Sequence, residues 1–242
     1  MSVYCITGTN RGLGLEFVKQ LAQASTKNII IATTQARADL HDLRAVASPS
    51  THILECDVGS LSSIQSFVQE ARRTLGGDGS AKIDFLLNNA GINLSGWRNS
   101  LALDPNELQT QFTINLVGPA KLVELLLAAG LLSHNVRIIN ISSHLGSLQF
   151  SSGLKPRSCA GYSISKAALN MLTVHQSEDV KKSLSHAVVI SMAPGLVKTR
   201  MGGEEGVLEP SESIAGMLRA IHGLGSDDTG SFFQYTGEKT AW

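Results

Sequence analysis

Tyr162 and Lys166 stand four residues apart in Tyr162-Ser163-Ile164-Ser165-Lys166, at the head of a stretch (Ala167, Ala168, Leu169, Met171, Leu172) with helical character. On a helix, that spacing puts phenol and ammonium on one face. A nearby ammonium favours phenolate and lowers the tyrosine pKa from about 10 toward working pH. A phenol tuned in this way suits proton donation to a carbonyl oxygen. The apolar run Arg137–Ile141 ends in Ser142-Ser143, which offers a hydroxyl for the same oxygen. Taken alone, the pair has an ordinary reading: an exposed surface lysine near an interfacial tyrosine.

A second set of residues suits a bound anion. Thr7-Gly8-Thr9-Asn10-Arg11-Gly12-Leu13-Gly14 follows the first apolar run and opens a helical stripe. Glycines there let the backbone approach a pyrophosphate, whose charge then faces a helix N-terminus. The spacing is G-x-x-x-G-x-G rather than G-x-G-x-x-G, and the lysine of a Walker sequence is missing. An ordinary strand–helix turn is the alternative. Asp57-Val58 closes the third run and could simply cap a turn, and Asn88-Asn89-Ala90-Gly91 closes the fourth and could simply be one. Pro194-Gly195-Leu196-Val197-Lys198-Thr199 follows the sixth.

These groups need a frame, and the chain alternates strands with helices. Val3–Thr7, Ile29–Thr33, His52–Glu55, Ile83–Asn88, Arg137–Ile141 and Ala187–Met192 read as buried strands, with Ser231–Gln234 a weaker seventh. Apolar stripes at Leu13, Phe17, Val18, Leu21 and Ala22, and at Leu61, Ile64, Val68, Ala71 and Leu75, read as helices. Asp104-Pro105-Asn106-Glu107 is a helix start with cap, first-turn proline and an acid three residues after the cap. The expected fold class is α/β: one domain over 1–242, doubly wound, with a parallel sheet of about seven strands and helices on both faces. Ser142–Gly153 and Gly195–Pro210 read as long irregular segments beyond strand ends, where such sheets bind ligands.

Composition narrows the classes. The chain has 242 residues, 43% of them hydrophobic and 17% charged, a mean hydropathy of +0.08 and a formal net charge of zero. No basic run speaks for nucleic acid or an anionic membrane. The start lacks a signal-peptide pattern, and the apolar segment 122–132 is too short to span a bilayer. A cytoplasmic location is expected. Three widely spaced cysteines, Cys5, Cys56 and Cys159, fit neither a disulfide framework nor zinc. The seven histidines show no metal-ligand spacing, so no metal is expected. His144 adjoins Ser143, but chain neighbours rarely place a base against a hydroxyl.

Together the motifs resemble the classical short-chain dehydrogenase/reductase family, in order from Thr7 to Thr199, and the segment 230–242 looks like the sniffer-type carbonyl reductases. The resemblance implies a Rossmann fold and hydride transfer between a nicotinamide cofactor and a carbonyl carbon. It implies Tyr162 as proton donor, and Ser143 (with Gly146 three residues on) as the hydroxyl that polarises the carbonyl. Lys166 would hold the nicotinamide ribose and depress the Tyr162 pKa, and Asn115, in the helix from Asp104, would hold a relay water. An asparagine bonded to a backbone carbonyl is the ordinary alternative for Asn115. Cofactor contacts are implied at Gly8, Asn10, Arg11, Gly12, Leu13, Gly14, Thr34, Asp57, Val58, Asn89, Ala90, Gly91, Tyr162, Lys166, Pro194, Gly195, Val197 and Thr199.

NADP(H) is expected over NAD(H). Strand two ends Thr33-Thr34-Gln35-Ala36 with no acid to accept both ribose hydroxyls; Asp39, the nearest, is expected on the next helix. Arg11 resembles the basic residue that many NADP-using relatives carry there, unless it pairs with Glu16 instead. The expected activity is NADPH-dependent reduction of a ketone, aldehyde or quinone, with a role in secondary metabolism among its settings. A non-catalytic dinucleotide sensor and an epimerase-type relative are the rivals. Substrate-site loops are expected at about 92–103, 144–161 and 196–210, with Leu94, Trp97, Leu148, Phe150, Met201 and Leu208 suggesting a small apolar carbonyl compound. Ser143 and Tyr162 lie nineteen residues apart, more than the family's usual separation of about thirteen, so the insertion should bulge beside the substrate. A homodimer or homotetramer is compatible with this reading.

Overall fold

Alternation along the first strand shows how the chain builds two cores. In β1 (Val3–Thr7), Val3 and Cys5 pack on one face while Tyr4 and Ile6 pack on the other, and all five residues are buried. The computed structural model describes residues 1–77, 80–94 and 96–242. Its strands are β1, β2 (Ile29–Thr34), β3 (Thr51–Glu55), β4 (Ile83–Asn88), β5 (Leu132–Ile141), β6 (Val188–Ala193), β7 (Phe232–Gln234) and β8 (Lys239–Thr240). They form one sheet in the order β3-β2-β1-β4-β5-β6-β7-β8, parallel except for the final antiparallel pair. The order reverses between β1 and β4, which opens a crevice at their carboxyl ends.

The helices are α1 (Gly12–Ala24), α2 (His41–Val46), α3 (Leu61–Thr74), α4 (Pro105–Phe112), α5 (Gly118–Ala128), α6 (Leu148–Gly153), α7 (Ala160–Asp179) and α8 (Pro210–His222). On one face Phe17, Val18 and Leu21 of α1 and Ile214, Met217 and Ile221 of α8 pack with Tyr4 and Ile6. On the other, Ile64, Phe67 and Val68 of α3 and Leu122 and Leu126 of α5 pack with Val3 and Cys5. No helix among the described residues is long and apolar enough to cross a membrane.

The doubly wound α/β expectation holds, with local differences. An eighth strand closes the edge; its two residues give no readable alternation. β5 begins at Leu132 rather than Arg137, because a register irregularity lets Leu132 pair with Ile83 across the polar Ser133-His134-Asn135. Segment 142–153 is not irregular throughout: it contains a 3-10 turn at His144–Gly146 and then α6, capped by Ser147, whose hydroxyl accepts from the Phe150 amide at 3.0 Å. Asp39 precedes α2 rather than lying on it, and its carboxylate accepts from the His41 amide at 2.9 Å.

Asp104 caps α4 as expected, accepting from the amides of Asn106 and Glu107. Glu107 does not reach back to complete a capping box; it pairs with Arg98 at 2.6 Å instead. Between α4 and α5 the helix widens into one π turn, Thr113–Val117, with Asn115 buried at its centre.

Candidate active site

The glycine turn is shaped by contacts that leave no room for side chains. Gly8 has φ +70°, and a Cβ on Gly14 would lie 2.1 Å from the Gly8 carbonyl oxygen. Asn89 spends its side chain on this turn, donating to the carbonyls of Thr7 (2.8 Å) and Gly8 (3.1 Å). The Thr7 hydroxyl accepts from the Asn89 and Ala90 amides. The expected cofactor residue Asn89 thus braces β1 against β4, while Ala90 packs on Gly8. At the start of α1, Arg11 is exposed, Asn10 and Gly12 are half-buried, and Leu13 packs against the core.

Arg11 is exposed and makes no ion pair among the described residues. The Glu16 carboxylate is taken by Lys19 at 3.3 Å and Gln20 at 2.9 Å. The alternative pairing of Arg11 with Glu16 is therefore not formed. Asp57 caps its own turn, accepting from the Gly59 amide at 2.9 Å. It also lines a cavity of about 320 Å³ with Gln35, Gly59, Gln109, Thr110, Thr113 and Ile114. Of these, Gln109, Thr110 and Thr113 carry no sequence signal. Thr34 is buried at the end of β2, and Val58 is buried beside Asp57.

At the other end of the crevice, Gly195 (φ +83°) turns the chain after Pro194, and Val197 bridges Leu208. A Cβ on Gly12 would approach the Thr199 methyl at 3.8 Å, so the first and last motifs meet. Positive-φ glycines, a cavity beyond the ends of β2 and β3 and a buried ammonium are features that fit a dinucleotide.

Lys166 is buried, 3% exposed, and donates to the Ile141 carbonyl at 2.7 Å. Its ammonium has no carboxylate partner among the described residues, and burial pulls its pKa down to about 8. A Cβ on Gly91 would lie 3.4 Å from this ammonium and 3.3 Å from the Asn115 amide oxygen, so Gly91, Asn115 and Lys166 converge. Asn115 accepts from the Ile92 amide (2.8 Å) and donates to the Ile92 carbonyl (2.9 Å) and to Ser165 (3.0 Å). It thereby ties the π turn to the loop after β4 and to α7, rather than bonding within its own helix.

Tyr162 is partly buried on α7, with Lys166 over its ring, 5.6 Å from the centroid. The expected depression of its pKa is not found in the chain alone. Burial pushes Tyr162 up to about 12, Ser143 as hydrogen-bond partner opposes this, and Cys159 adds to it. The physical reason is burial of the phenol itself, which the ammonium does not offset from its place over the ring, where it bonds Ile141.

Ser143 leads the 3-10 turn, its hydroxyl accepting from the Leu145 amide at 3.2 Å. His144 is not a base for it; its ring packs against Phe150 (5.2 Å between centroids) and Phe232 (6.4 Å), and burial lowers its pKa. Ser142 points the other way, into α7. Cys159 is buried at φ +57°, within 3.8 Å of the Asn93 amide nitrogen, consistent with a bystander thiol.

Of the expected substrate loops, 144–161 holds α6, with Leu148 and Phe150 exposed. Loop 92–103 exposes Leu94 and Trp97; its Ser95 lies outside the described residues. Loop 196–210 exposes Leu196, Met201 and Val207, whereas Leu208 is buried. No group of three or more metal-ligating side chains occurs among the described residues.

Known proteins resemble the chain along its length. Residues 2–207 match the short chain dehydrogenase family. The chain is 34% identical to the C-signal protein of Myxococcus xanthus over 161 residues, 66% of this chain and 93% of that one. It superposes on the carbonyl reductase Sniffer of Drosophila melanogaster with a TM-score of 0.88 at 30% identity, covering all of both chains. Against the NADPH-bound carbonyl reductase from chicken fatty liver the TM-score is 0.87 at 28% identity, again over all of both chains. The chain belongs to the short-chain dehydrogenase/reductase family and is an oxidoreductase of that type.

Proposed function

We propose that this short-chain dehydrogenase/reductase is an NADPH-dependent carbonyl reductase acting on a small apolar ketone, aldehyde or quinone. The observation that carries the reading is the meeting of Ser143, Tyr162 and Lys166 beside the Gly91 end of the crevice. NADPH supplies the hydride when bound. Tyr162 gives its proton to the carbonyl oxygen; burial keeps the phenol protonated in the cofactor-free chain, and transfer is efficient once its pKa is brought down toward working pH. Ser143 hydrogen-bonds the same oxygen and polarises it. Lys166 holds the nicotinamide ribose hydroxyls and, with its ribose partners in place, sits where it can ease proton loss from Tyr162. Asn115 fixes the loop after β4 and supports proton return to Lys166.

Arg11 supplies the preference for NADPH, since its guanidinium is exposed at the head of α1 and free of ion pairs among the described residues, while Gln35 offers only a neutral bond. The apolar groups around the mouth, Leu94, Trp97, Leu148, Phe150 and Met201, favour an uncharged substrate. Of the cations in these loops, Arg98 and Lys198 are engaged by Glu107 and Glu209, and Arg157 donates to the Ser151 and Ser152 carbonyls. The test is a panel of quinones, aryl ketones, aldehydes and β-keto compounds with NADPH, followed at the nicotinamide absorbance. Turnover of at least one apolar class is expected. Inertness toward the whole panel, with NADPH bound, would instead favour the dinucleotide-sensing alternative.

A further inference from the structure

Ser143 and Tyr162 must meet across a gap that the chain does not bridge closely, since α6 and its flanking loops lie between them in sequence. Their separation is therefore set by contacts between the 142–146 turn and α7. Asn170, one helical turn beyond Lys166 and 3% exposed, makes two of them. Its amide oxygen accepts from the Ser142 hydroxyl at 2.6 Å, and its amide nitrogen donates to the Gly146 carbonyl at 3.1 Å. These two partners bracket Ser143. The turn is also closed on itself, the Gly146 amide donating to the Ser143 carbonyl at 2.9 Å. Gly146 lies so close to α7 that a Cβ there would stand 2.8 Å from the Lys166 carbonyl carbon. The Ser142 amide donates to the Met192 carbonyl at 2.8 Å, fixing the turn to β6 on its far side.

We propose that Asn170 is a positioning residue: it sets the separation between Ser143 and the Tyr162–Lys166 face of α7, and acts on carbonyl reduction through Ser143. A bidentate side-chain amide suits this task because it supplies one acceptor and one donor in a fixed plane. With both partners buried, neither bond can be replaced by water. The inference rests on the carbonyl-reductase reading for its effect on rate, but the docking of the turn can be read without turnover.

The experiment is a double-mutant cycle on NADPH-dependent reduction, using wild type, Asn170→Ala, Ser143→Ala and the double variant. Asn170→Ala should lower kcat about tenfold or more, since small misplacements of reacting groups cost that much, with NADPH affinity changed less than about twofold. In the Ser143→Ala background the same substitution should cost less than about twofold, because the group it positions is already gone. An equal loss in both backgrounds would overturn the proposal and leave Asn170 a general packing residue. Hydrogen exchange of the Leu145 and Gly146 amides supplies a readout independent of activity: about tenfold faster exchange in Asn170→Ala is expected, and unchanged exchange contradicts the docking. Should the wild type reduce nothing in the panel, the carbonyl-reductase reading fails while the exchange result still decides whether Asn170 holds the turn. If Asn170→Ala does not fold, Ser142→Ala, which removes one arm alone, takes its place in the cycle and in the exchange measurement. A loss seen only where Ser143 is retained, with faster exchange, then supports the positioning role, and equal losses in both backgrounds or unchanged exchange overturn it.

Discussion

Lys166 aims its ammonium at the Ile141 carbonyl, 2.7 Å away, and not at the Tyr162 hydroxyl. A buried cation held by one neutral carbonyl is costly, which is why its pKa falls from 10.5 to about 8. Between those values the unfolded chain binds more protons than the folded one, so this group's contribution to stability rises with pH from about 8 to 10.5. Below 8 the full penalty, about 3 kcal/mol, is present. Tyr162 has the opposite sign: its raised pKa, about 12 against 10.0, contributes stability below pH 10 that is lost as pH rises through 12.

Lys166→Met should therefore stabilise the cofactor-free protein at pH 7, and its advantage should shrink by about 2 kcal/mol at pH 9.5. Urea unfolding at the two pH values measures it. An advantage that does not change with pH would mean that the ammonium is better solvated than its burial indicates. The same variant should lose NADPH affinity and turnover together.

Gly14→Ala should collapse the dinucleotide turn. A Cβ there meets the Gly8 carbonyl oxygen at 2.1 Å and the Asn89 amide nitrogen at 2.7 Å, both parts of the β1–β4 brace. Overpacking against backbone costs about 1–3 kcal/mol, so the Tm should drop by about 3–10 °C in a chain of this size. Calorimetry that finds the wild-type Tm, with NADPH binding intact, would show that the turn yields more easily than this packing implies.

Arg11→Ala should erode the cofactor preference selectively. A charge-assisted bond to a 2′-phosphate is worth roughly 1.5–3 kcal/mol, about 10- to 150-fold in affinity. The ratio of kcat/KM for NADPH over NADH should fall by that order, mostly through the NADPH value. An unchanged ratio, or a wild type indifferent between the cofactors, removes Arg11 from the assignment.

The strands, the glycine turn and the Tyr162–Lys166 pair are legible in the sequence because each is a local pattern: β-branched runs, glycine spacing, and an i, i+4 interval on a helix. What is not legible depends on tertiary placement. Helix α7 inverts the usual amphipathic reading: Ser165, Lys166, Asn170, Thr173 and Gln176 are buried while Ile164, Met171 and Val174 are exposed. Its buried polar face joins Asn140, which bonds Thr173 at 2.9 Å and Gln176 at 3.1 Å, and Thr173 also meets Ser191 at 2.8 Å. The polar residues at that helical interval are a readable signal for Asn170, masked by the apolar residues between them. Helix α6 escapes a sequence reading because Leu148–Gly153 is short and rich in serine and glycine, and its ordering comes from the Ser147 cap and from Gln149 donating to the Trp242 carbonyl at 3.2 Å. The direction of the Tyr162 shift runs against the expectation because sequence spacing shows that two groups share a face, not which partner the ammonium chooses.

Tyr162 as proton donor to a carbonyl oxygen is tested most directly by Tyr162→Phe. The variant keeps the ring under Lys166 and removes only the hydroxyl. On any carbonyl substrate that the wild type reduces, kcat should fall by about 10²–10⁴-fold, with NADPH affinity by fluorescence titration within about twofold of wild type. A variant that keeps most of the wild-type rate would contradict the claim.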